Sequence, residues 1–330
     1  MRRISPIKVS PSILLTLDFE DLKMSENKKE PNGVLIVNKP EGITSHDVVG
    51  KIRKLYGTRK VGHTGTLDPL ATGVLVILLG RAAKAAEYLV ADRKTYCARL
   101  TLGLTTDTED ITGKVLTECE NIPSSEEVMS ACGKFLGKIK QIPPMYSALK
   151  VDGKKLYDLA REGIEVERQA RDIEIFRLDC APTDKVNEYE LLVECSSGTY
   201  IRTLCADIGA TLGCGGVMSA LHRVKAGGFD VENSHTLDEL EAMGIEERYS
   251  LLAPTESLFD ELEAVKLPAF YEKLCRSGCE IYQNKIKTNL EVGTRVRLYS
   301  ASGEFFALGE VREYENGTAV KAIKTFSLEQ

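Results

Sequence analysis

Apolar residues along this chain fall into short segments of differing period. Residues 34–37 and 74–79 are unbroken apolar runs, and the second, closed by Gly80, has the pattern of a strand buried on both faces. Residues 94–102 alternate, so Tyr96, Ala98, Leu100 and Leu102 share one face. Residues 188–195 predict another strand, followed by a helix with Ile201, Leu204, Cys205 and Ile208 as its stripe. Further helices are expected from a Thr44 or Ser45 cap to Tyr56, over the Ala-rich residues 80–90, and over residues 123–137. Residues 141–171 are polar, Pro-rich and long for a connection, with a charged helix at about 155–162, as in functional lids. After Pro254 a charged helical stretch gives way to strands at 295–299, 305–310, 311–314 and 318–323, separated by turns at Ala301-Ser302-Gly303 and Asn316-Gly317.

With 330 residues the chain can hold two cores, and its longest purely apolar run, residues 74–79, falls far short of the ~20 a membrane-spanning helix needs. Residues 1–30 read as a disordered extension: Ile13-Leu14-Leu15 is too short for a secretory core, and Asp18, Glu20 and Asp21 argue against a transit peptide. Met24 would serve as a natural start. The nine cysteines show no zinc spacing and read as buried thiols of a reducing cytoplasm; Cys275 and Cys279, four apart, lack the second pair a metal site would use.

Net charge is −6, yet residues 51–100 carry ten basic side chains against three acidic ones, while residues 151–200 carry seven against twelve. A basic block inside an acidic chain predicts a localised, salt-sensitive contact with a polyanion. The block surrounds Gly62-His63-Thr64-Gly65-Thr66-Leu67-Asp68-Pro69-Leu70-Ala71-Thr72-Gly73-Val74. Glycines at 62, 65 and 73 admit backbone angles that a Cβ disfavours, and Pro69 pushes Asp68 out of the helical region. Such a loop presents one carboxylate at the edge of a rigid sheet.

That loop resembles the catalytic motif of the TruB family of tRNA pseudouridine synthases, and four more segments match in order. They are residues 33–49 with Lys39-Pro40, then Lys94-Thr95-Tyr96, then residues 141–157, and finally Ser197-Gly198-Thr199-Tyr200-Ile201-Arg202 with Ala220-Leu221. The resemblance implies an α+β pseudouridine synthase fold: a large bent mixed β-sheet with flanking helices over residues 31–253, then a small PUA-like β-barrel over 262–330. It assigns catalysis to Asp68, Tyr96 and Arg202. Asp68 acts as nucleophile at C1′ or as base at C2′, Arg202 is its partner, and Tyr96 stacks on the uracil. Substrate contacts fall to His63, Leu221, Lys39, Asp110, Lys150 and Lys154. The implied substrate is the T-loop uridine at tRNA position 55, held through the T arm and acceptor stem by a cytoplasmic monomer with no cofactor, metal, membrane or obligatory protein partner. Two rivals are an RNA-guided relative, which the long 141–171 segment disfavours, and a non-catalytic tRNA-folding protein, which Asp68, Tyr96 and Arg202 disfavour.

Deleting residues 1–23 should leave thermal melting and activity unchanged, because the segment offers too little apolar surface to dock. A clear fall in melting temperature, or protection of its amides from exchange, would contradict this.

Overall fold

Strand β1 (Gly33–Lys39) and strand β3 (Thr72–Leu79) pair antiparallel, and their near-continuous apolar sequence follows from burial on both sides. Leu75, Ile77 and Leu79 enter one core while Val74, Val76 and Leu78 enter another. At ~1.5–3 kcal/mol per fully buried side chain, these six residues contribute on the order of 10 kcal/mol. The computed structural model describes residues 30–89, 93–151 and 153–327. The expected N-terminal extension therefore lies outside the described residues, except for Glu30.

Strand β2 (Val61–Thr64) pairs with β3, and the sheet continues through β4 (Lys94–Leu102), β7 (Gly137–Gln141), β10 (Arg171–Pro182), β11 (Glu188–Cys195), β12 (Gly216–Ala226) and β13 (Phe229–Asp230). Its order is β1-β3-β12-β4-β11-β10-β7, with β2 and β13 on side branches. Only β12 and β3 run parallel, which makes the sheet mixed. Its first face is covered by α1 (Ser45–Tyr56), α2 (Ser125–Gly133), α4 (Ile201–Leu212) and α5 (Leu237–Ala242). The expected alternation in β4 holds: Tyr96, Ala98, Leu100 and Leu102 are all buried on this face.

Several expectations change in detail. The Ala-rich segment is a 3₁₀ helix, Gly80–Tyr88. The helix expected over 123–137 is shorter: Ser124 and Glu127 form a reciprocal capping box at its start, and the chain becomes β7 from Gly137. Residues 305–310 and 311–314 belong to one strand, Phe305–Tyr314. The thiols are mixed in exposure, and Cys279 is exposed. No described helix is long and apolar enough to cross a membrane.

A second sheet of five strands has the order β14 (Glu263–Lys266), β16 (Arg295–Tyr299), β17 (Phe305–Tyr314), β18 (Gly317–Thr325), β15 (Ile281–Tyr282). It curls into a half-barrel around Val265, Leu298, Phe306 and Val311. It also packs against the large sheet, because Leu308 and Phe326 share a core with Val34, Ile36, Val74, Val76 and Leu78. Phe326 stacks on Phe305 with ring centroids 5.5 Å apart and tilts against Phe259 at 5.9 Å. The back of the large sheet is thus roofed by the second one.

Phe326→Ala should cost about 3–5 kcal/mol. Because the core is shared, calorimetry should show both sheets melting earlier in one transition. Early melting of the C-terminal sheet alone would show that the cores are uncoupled.

Candidate active site

The Asp68 loop joins β2 to β3, and its backbone is held on both sides of the carboxylate. Ser45, the first residue of α1, accepts from the Leu67 amide at 2.8 Å and donates to the Leu67 carbonyl at 3.0 Å. The Pro69 carbonyl accepts from the Gly42 amide at 2.9 Å, and the Ala71 amide closes a turn on the Asp68 carbonyl at 3.1 Å. Lys39, at the end of β1, is fully buried and donates to the carbonyls of Pro40, Pro69 and Ala71 at 2.8, 3.3 and 2.6 Å. Lys39 was expected to touch substrate; instead it sits beneath the loop. Burial pushes its ammonium down to about 8, against the opposing charge of Asp68.

The Asp68 side chain is 38% exposed, and its Oδ2 meets Arg202 Nε at 2.9 Å. Arg202 lies in the first turn of α4, off the apolar stripe, and is 5% exposed. A cation at a helix N-terminus opposes the helix dipole, so its other contacts matter. Nη1 donates to the Thr108 carbonyl at 2.9 Å, and Nη2 donates to the Tyr146 carbonyl at 2.7 Å. Asp110 Oδ2 lies 3.7 Å from Nη1. Its Oδ1 accepts from Thr108 Oγ1 and from the amide and hydroxyl of Thr112. Asp110 was expected against substrate, but those turn bonds bury it behind Arg202. The guanidinium is thereby fixed between two carboxylates and two backbone carbonyls.

Tyr96 on β4 and Leu221 on β12 are both buried, on neighbouring strands where Leu221 pairs with Ala98. Their side chains share the sheet face that carries the Asp68 loop and α4. Burial pushes the Tyr96 phenol up. His63 on β2 is half-buried, its Nδ1 has no protein partner, and burial lowers its pKa. Lys150 belongs to β8 (Lys150–Val151) and Lys154 to β9 (Lys154–Lys155), a hairpin within the 141–171 segment on which Lys154 is exposed. α3 (Leu156–Arg161) follows directly. Asp68, Arg202 and Asp110 form one contact network, while Lys154 stands on the hairpin beyond it.

Three supporting residues escaped sequence reasoning. Ser45 has the sequence signal of a cap alone, yet its hydroxyl holds the Leu67 backbone. Gln141, the last residue of β7, is buried and bonds both ways with Tyr200, the residue before α4, at 3.0 and 2.8 Å. Arg223 on β12 is 1% exposed and carried no pattern signal.

Residues 53–201 match the model of the TruB family pseudouridylate synthase N-terminal domain, and residues 202–260 match that of the tRNA pseudouridylate synthase B C-terminal domain. A tRNA pseudouridine synthase B of Alkaliphilus oremlandii (strain OhILAs) is 43% identical over 89% of this chain and 98% of that protein. The chain belongs to the TruB family. The tRNA pseudouridine synthase B of Syntrophotalea carbinolica is 50% identical over 67% of this chain and 72% of its own. The crystal structure of a Cbf5-Nop10-Gar1 complex contains a chain that superposes with a TM-score of 0.69 at 26% identity, covering 90% of this chain and 85% of that one. The junction between the two TruB family models falls at the start of α4, between Ile201 and Arg202, yet the large sheet continues across it through β12.

Lys39→Met leaves three carbonyls without their donor and should cost on the order of 3 kcal/mol. Between about pH 8, where native Lys39 releases its proton, and roughly 10.4, the ordinary lysine value, the unfolded chain binds more protons. Lys39 therefore makes wild-type stability rise with pH across that window. Denaturant titrations at pH 7 to 10 should show this slope flattened in Lys39→Met; parallel pH curves would rule it out.

Proposed function

We propose that this TruB-family synthase isomerises the T-loop uridine at tRNA position 55 to pseudouridine. The observation that carries the reading is the Asp68–Arg202 pair: a loop carboxylate open to solvent on one side and held on the other by a buried arginine at 2.9 Å. Cleaving the C–N glycosidic bond and forming a C–C bond at the same sugar carbon leaves redox state unchanged. The reaction needs an anionic carboxylate at the ribose, a cradle for the detached uracil and an acceptor for the C5 proton. Asp68 supplies the carboxylate, at C1′ or C2′, and Arg202 orients it. Tyr96 and Leu221 enclose the base as ceiling and floor, and His63 takes the place of stacking lost when the nucleotide is extruded.

Residues 141–171 act as a lid over the T loop, with Lys150 and Lys154 on phosphates. Lys39 and Asp110 serve as supports for the loop and for Arg202. Residues 31–253 form the catalytic unit, and the PUA-like unit, residues 262–330, contacts the acceptor-stem side. The enzyme works as a cytoplasmic monomer.

Asp68→Asn should abolish turnover, with a loss on the order of 10⁴-fold, while tRNA affinity stays within a few-fold. Tritium release from C5-labelled uridine in a tRNA transcript measures the first, and filter binding the second. A variant keeping a tenth of the wild-type rate would overturn the assignment.

A further inference from the structure

Arg223 is a buried cation without an anion: it is 1% exposed and, among the described residues, joins no ion pair. An unpaired buried charge is costly, and an apolar side chain would fill the same volume without that cost. The guanidinium gives what no apolar group can, two directed bonds from one rigid fork. Nε donates to the Val74 carbonyl at 2.7 Å, and Nη2 donates to the Gly65 carbonyl at 3.0 Å. These bonds tie the start of the Asp68 loop to the strand that leaves it. Across the sheet Arg223 is the direct register partner of Tyr96, so the two side chains stand as neighbours on one face.

The backbone is shaped for this contact. Gly73 has φ +98°, and a Cβ there would lie 2.3 Å from the Arg223 carbonyl, so glycine lets β3 and β12 approach closely. The approach places the guanidinium under the loop and beside the tyrosine together.

We propose that Arg223 is a positioning residue that sets the catalytic loop and Tyr96 in one register, so that carboxylate and aromatic ring meet the same uridine. It acts through Tyr96 and the Gly65 end of the loop, without touching substrate. The inference rests on the synthase reading above.

Single-turnover pseudouridine formation and tRNA filter binding on the full chain test it, with wild type, Arg223→Met, Arg223→Lys, Tyr96→Phe and the Arg223→Met/Tyr96→Phe double variant. Misplacing reacting groups by about an ångström costs on the order of 10²-fold. Arg223→Met should therefore lose about 100-fold in rate with tRNA affinity within about threefold, and Arg223→Lys should recover roughly tenfold of it. Because Arg223 acts through Tyr96, the double variant should lose less than the product of the single losses. If Arg223→Met does not fold, Arg223→Lys decides: a loss of about tenfold at unchanged affinity supports the proposal. A wild-type rate in either folded variant, a matching fall in affinity, or fully multiplicative losses would overturn it. No product from wild type itself would defeat the synthase reading, a separate outcome.

Discussion

The ion pair between Asp68 and Arg202 is the constraint around which the rest of the site is organised. The pair holds the loop carboxylate from one side and leaves the other open, with one partner 38% exposed and the other 5%. Holding Arg202 buried at a helix N-terminus requires acceptors, and they come from distant parts of the chain: Thr108 and Asp110, and Tyr146 within the 141–171 segment. Gln141 and Tyr200 fasten that segment to the start of α4. The long polar segment is thus tied into the site's electrostatics through Tyr146.

Lys39, Arg202 and Arg223 are three buried cations bonded to backbone around the Asp68 loop, in a chain whose overall charge is −6. Buried cations of this kind are stabilised by carbonyls pointed at them from fixed backbone. They fasten the loop to the strands on either side of it.

Much of this was legible in sequence, for identifiable physical reasons. β3 was readable because burial on both faces removes polar residues, and β4 because one buried face imposes alternation. α1 was readable from a Thr44 or Ser45 cap, and the structure gives the cap to Thr44. β12 did not, since register shifts near Ser219 and Val224 interrupt its period and its buried positions include Arg223. β10 is polar along much of its length and owes its strand state to pairing with β7 and β11. In the site, Asp68, Tyr96 and Arg202 stood in recognisable segments. The burial of Lys39 and Asp110 could not be read, because hydrogen bonding to distant backbone leaves no local pattern.

Two of the acceptors that hold Arg202 are main-chain carbonyls, those of Thr108 and Tyr146. A carbonyl belongs to every amino acid alike. The identity of residue 146 is therefore uncoupled from the Arg202 bond it makes, whereas Thr108 also holds Asp110 beside Arg202 through its hydroxyl. The Tyr146 bond thus constrains the path of the backbone and leaves the side chain that rides on it free to change.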